Sequence, residues 1–102
     1  MLDSLTVDSF LPLVGSRFSI DLDGRSIDLE LTEAKEARHY DDDERNPFSL
    51  LFQGPVEPLI PQGQRHFSHP DFSDMELFMV PLGPKSARGE GVAVMRYEVV
   101  FG

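Results

Sequence analysis

The chain has no cysteine and no tryptophan. Without cysteine it can form neither a disulfide nor a thiolate metal site, and it offers no thiol nucleophile. That composition suits a reducing compartment, and a cytoplasmic location is expected. Basic residues are scarce too: nine Lys and Arg face eighteen Asp and Glu, for a formal net charge of −9. Such a charge repels phosphate backbones and anionic lipid, so neither nucleic acid nor a membrane surface is an expected partner. Long apolar runs are also missing, and no stretch approaches the roughly 20 residues that span a bilayer. Residues 1–15 carry Asp3 and Asp8 but no Lys or Arg, the wrong charge for the basic start of a secretory signal.

What is present suffices for one core. At 102 residues, with a hydrophobic fraction of 40% and eight Phe, the chain reads as a single domain over residues 1–102. The clearest local pattern is Arg17-Phe18-Ser19-Ile20-Asp21-Leu22, then Asp23-Gly24, then Arg25-Ser26-Ile27-Asp28-Leu29-Glu30-Leu31. Both arms alternate with period two, and Asp-Gly supplies the positive φ angles of a two-residue type I′ turn. With Leu22 opposite Arg25, Ile20 meets Ile27, Phe18 meets Leu29 and Arg17 meets Glu30. Turn chemistry, apolar pairing and charge pairing therefore agree on one register. The second arm can continue to Arg38 as strand, although that stretch also reads as helical.

Upstream, Thr6 is a candidate N-cap for a short helix that Pro12 makes irregular and Gly15 ends. Downstream, Phe48-Ser49-Leu50-Leu51-Phe52 predicts a strand with Phe48, Leu50 and Phe52 on one face. Pro55, Pro58 and Pro61 then favour an extended connector with Leu59 and Ile60 as buried anchors. Residues 64–69 predict a fourth strand ended by Pro70. Residues 75–80 and 92–101 predict a closing hairpin in which Glu76 faces Arg96, Leu77 faces Met95 and Phe78 faces Val94. Pro81, Gly83, Pro84, Gly89 and Gly91 mark a long connection between its arms. The expected fold is mainly β: an antiparallel meander of about six strands, forming a small barrel or a sandwich, with one short N-terminal helix.

The candidate chemistry is thin. His66 and His69 invite a metal reading, but residues three apart on a strand point to opposite faces and do not readily share an ion. The run Asp41-Asp42-Asp43-Glu44 lacks the alternating ligands and central Gly of an EF-hand loop and reads as a solvated loop. No Gly-x-Ser-x-Gly elbow and no phosphate-binding glycine pattern occurs. No cofactor is expected, and the Phe and Met side chains are more readily assigned to filling the barrel than to holding an apolar ligand.

The segments Phe48 to Pro55, Leu59 to Gly63, Met75 to Pro81 and Tyr97 to Phe101 carry a resemblance to a family of small bacterial proteins known only as a domain of unknown function. That resemblance runs through nearly the whole chain and implies no activity, cofactor or catalytic residue. It implies a loose association with phage-tail-like collar proteins, and hence an assembly role. Two functions follow as expectations. One is a non-catalytic module that binds another protein; the other is a small enzyme or ligand-binding barrel whose site the sequence does not display. The first is favoured, with contact through a sheet edge or an apolar patch; the candidate edge strands are residues 48–52 and 64–69. Leu51 and Arg65 on those strands are the expected contacts, and Asp41, Asp42, Asp43 and Glu44 steer a basic partner.

Overall fold

A computed structural model describes residues 5–36, 47–86 and 93–101. Its six strands are β1 (Arg17–Leu22), β2 (Arg25–Glu36), β3 (Phe48–Gly54), β4 (Gly63–His69), β5 (Phe72–Ser86) and β6 (Ala93–Phe101). All neighbours run antiparallel, in the order β1-β2-β3-β6-β5-β4, and β4 returns to β1 to close a barrel. A short helix α1 (Val7–Phe10), continued by one 3-10 turn over Leu11–Leu13, precedes β1.

The β1–β2 hairpin has the expected register, from Leu22 opposite Arg25 to Arg17 opposite Glu30. Asp23 and Gly24 take φ of 52° and 87°, the left-handed pair that a type I′ turn requires. Thr6 opens α1 as expected: its backbone N–H donates to Ser9 Oγ at 3.2 Å, and Ser9 N–H donates back to the Thr6 carbonyl at 2.9 Å. The stretch open to a helical reading is strand as far as Glu36. Thr32 is an extra residue in β2, between the pairs Leu31 to Phe52 and Glu33 to Leu51, and its hydroxyl donates to the Leu51 carbonyl. Such bulges bend a strand and raise its twist, which a six-stranded sheet needs in order to close.

Alternating residues fill the interior. Phe18, Ile20, Ile27, Leu29, Leu31, Phe48, Leu50, Phe52, Phe67, Met79, Tyr97 and Val99 are all buried. Phe10 inserts at one end, with ring centroids 5.2–5.8 Å from Phe48, Phe72 and Phe101. Along the connector, Ile60 is fully buried and its N–H donates to the Tyr97 hydroxyl at 3.0 Å. Leu59, expected to be a second anchor, is 49% exposed instead. One residue of a kinked connector faces the barrel at that point, and the Tyr97 hydrogen bond selects Ile60.

The closing hairpin departs most from expectation. Glu76 lies opposite His66 on β4, not opposite Arg96, and the β5–β6 pairing runs from Met79 with Val99 to Ser86 with Ala93. Phe78 and Leu77 therefore do not meet Val94 and Met95. The long connection contracts because β5 continues through Pro81, Gly83 and Pro84, with Leu82 as an extra residue between Pro81 and Gly83. Pairing of β5 to β4 ends at Met79, so both prolines lie where β5 has a neighbour on one side only. A missing N–H costs no ladder hydrogen bond on an open side.

Closure also removes both expected edges. β3 lies between β2 and β6, and β4 lies between β1 and β5. Pro55 and Pro70 end these strands along the chain; they do not mark an unpaired side.

Candidate functional site

Three groups of polar or exposed side chains stand out on this frame. The first closes a barrel end. His69 is 8% exposed, and its Nδ1 accepts the Asp71 backbone N–H at 3.0 Å. A neutral imidazole that accepts at Nδ1 carries its proton on Nε2. Nε2 lies 2.8 Å from Ser16 Oγ, so the ring donates to the hydroxyl, which in turn donates to the Leu13 carbonyl at 2.5 Å. The proton direction is the reverse of what a serine nucleophile needs, because the base must accept from the hydroxyl. The pair instead ties the turn after α1 to the β4–β5 corner. Beside it, Gly15 N–H donates to the Leu31 carbonyl at 2.7 Å, and Leu31 N–H donates to the Ser16 carbonyl at 3.0 Å.

The second group lies outside β1, β4 and β5. His66 sits across the sheet between Asp21 and Glu76. Its Nδ1 is 3.0 Å from Glu76 and its Nε2 is 3.1 Å from Asp74. Carboxylates only accept, so both contacts are hydrogen bonds only when both nitrogens carry protons. Hydrogen bonding to Glu76, then to Asp74, accordingly raises the His66 pKa above 6.5, against a smaller opposing effect of desolvation. Ser19, Asp21, Ser26, His66, Ser68 and Glu76 line a shallow groove of about 480 Å³. As alternation requires, His69 faces inward and His66 outward. Among the described residues no group of three or more His, Asp or Glu has the geometry to hold a metal ion.

The third group is apolar. One step outside the pair Met79 to Val99, Phe78 and Val100 turn to solvent on adjacent strands, 48% and 65% exposed. The next row across the outer surface runs Val80 on β5, Glu98 on β6, Leu51 on β3 and Glu33 on β2. Val80, Glu98 and Leu51 are partly buried, and Glu33 is exposed.

The residues expected to bind a partner are not brought together. Leu51 belongs to this third surface, whereas Arg65 is on β4, diametrically across a barrel in which β3 and β4 are three places apart. The Arg65 guanidinium already donates to the Pro61 carbonyl, through Nη2 at 2.7 Å and Nε at 3.3 Å, and so fastens the connector. Asp41, Asp42, Asp43 and Glu44 lie outside the described residues. Phe78, Glu98 and Val100 are not among the residues the sequence pattern singles out. Period-two alternation in β6 is the signal that could have found two of them, since it sends Val100 and Glu98 outward once Val99 and Tyr97 face in.

A family model described as a domain of unknown function (DUF6916) matches residues 5–101. The chain belongs to the DUF6916 family. No curated protein and no solved structure matches it. The matched span takes in every element of this DUF6916 barrel, from α1 to the end of β6. Among the described residues no helix is long and apolar enough to cross a membrane.

Proposed function

We propose that this DUF6916 domain is a non-catalytic module that binds another protein through the outer surface of β5, β6 and β3. The observation that carries this reading is the adjacent exposure of Phe78 and Val100 on an otherwise filled barrel. Neighbouring apolar side chains turned to water on a paired sheet face contribute nothing to the core, and burying them against a partner is favourable by about 25 cal/mol per Å². At β3 and β4 strand addition is closed off, because both strands have a neighbour on each side, and recognition there is by the sheet face. Assembly into phage-tail-like structures is one form of this proposal and rests on the family resemblance alone.

The enzyme reading has less support. The one Ser–His pair among the described residues has its proton on the wrong side of the hydrogen bond, and the barrel interior is packed with the domain's own side chains. The test is site-specific photo-crosslinking in lysate of the native host from position 100, with position 26 on β2 as control. A stoichiometric adduct at position 100 alone supports the proposal. No adduct at position 100, with reproducible turnover of a substrate pool, replaces it with the enzyme reading.

A further inference from the structure

The apolar surface has a charge pattern that selects among partners. Across β5, β6, β3 and β2 the row Val80, Glu98, Leu51, Glu33 alternates apolar side chain with carboxylate, at a strand spacing of about 4.8 Å. Glu98 is the telling member. It is partly buried between Leu51 and Val80, and it has no hydrogen-bond or ion-pair partner among the described residues. A carboxylate held between two apolar side chains loses some of its water and is satisfied best by a cation brought to it.

Resting on the protein-binding reading, we infer that the β5–β6–β3 surface takes a basic amphipathic segment of another protein. That segment sets a Lys or Arg on Glu98 while its apolar side chains cover Phe78 and Val100 on one side and Leu51 on the other. Glu33 extends the same preference to the rim, where it ends the row. A second copy of the chain fits less well. With eighteen acidic against nine basic residues, and with Glu33 and Glu98 on the contact surface, two copies bring like charges together.

The probe is a synthetic peptide alternating Lys and Leu, compared with a Glu and Leu counterpart and a Ser and Leu counterpart. Each is titrated into the full-length, isotope-labelled protein while backbone amide shifts are followed at two salt concentrations. The Lys–Leu peptide is expected to move the amides of Leu51, Val80, Glu98 and Val100, and to bind more weakly at higher salt. Glu98→Gln is expected to weaken it about five- to tenfold, the size of one net hydrogen bond. Asp21→Asn, on the opposite groove, leaves the affinity unchanged. Shifts centred on Asp21, His66 and Asp74, or an unaltered affinity in Glu98→Gln, overturn the inference. Concentration-dependent dimerisation through the same amides, seen by sedimentation, overturns it in favour of a second copy. Tighter binding of the Ser–Leu or Glu–Leu peptide at this surface removes the basic partner but keeps the protein-binding reading, which only the crosslinking result removes.

Discussion

His66 shows how a single exposed side chain can set a pH dependence. It is 43% exposed, with Asp74 and Glu76 at 62% and 65%, so solvent screens the cluster and its contribution to stability is small. Its direction is nonetheless fixed. The folded state raises the His66 pKa above 6.5, so the contribution is fully present below pH 6.5 and is lost as pH rises through the raised value. The melting-temperature difference between parent and His66→Gln is therefore expected to be greatest at mildly acidic pH and to shrink toward alkaline pH. A difference that grows with pH contradicts the imidazolium assignment. Tyr97 makes a sharper case in the core. Burial raises its pKa, the Ile60 N–H hydrogen bond opposing, and its hydroxyl is the acceptor for that buried N–H. Tyr97→Phe leaves the Ile60 N–H unsatisfied and is expected to cost about 1–3 kcal/mol, read from denaturant midpoints at neutral pH.

At the scale of elements, the β1–β2 hairpin predicts its own failure. Gly24 has φ of 87°, and no atom lies within 4 Å of where a Cβ would stand, so backbone conformation alone opposes substitution there. Gly24→Val is expected to destabilise the domain by at least ~1 kcal/mol, because a β-branched residue is poorly tolerated at positive φ. Equal denaturant midpoints for parent and variant contradict that account. This hairpin is fully legible in the sequence because its information is local: turn type, alternation and charge pairing all lie within residues 17–31. The β5–β6 pairing is not legible, for a physical reason. Glu76 has two possible neighbours, one on each side of β5, and the sequence offers Arg96 as a charge partner while the barrel supplies His66. Pro81 and Pro84 read as the end of a strand, yet a strand paired on one side accepts them. Of the candidate surface, Leu51 stands out in the sequence. Val100 and Phe78 do not, because their adjacency depends on a β5–β6 register that charge pairing alone mispredicts.

The whole molecule depends on what fills the barrel's ends. Barrel diameter grows with strand number, so six strands enclose a narrow interior, and here Phe18, Phe52 and Phe67 pack across the middle with centroid distances of 5.4–6.4 Å. The end near α1 needs a separate closure. Phe48 and Phe101 stack there at 4.4 Å, and Phe10, fully buried, covers them together with Phe72. The two backbone hydrogen bonds at Gly15 and Ser16, with the Ser16–His69 contact, hold the segment that carries Phe10 in place. Phe10→Ala removes the ring while leaving those bonds, and is expected to cost about 3–5 kcal/mol in denaturant melts, the range for deleting a buried aromatic side chain. Because the loss opens an apolar space lined by Phe48, Phe72 and Phe101, the variant is also expected to bind a small aromatic such as benzene, as dry apolar cavities do. Recovery of melting temperature on adding benzene, absent in the parent, identifies Phe10 as the plug. A cost under about 1 kcal/mol, well below the range for a buried ring, with no benzene effect shows that the strands close the end without it.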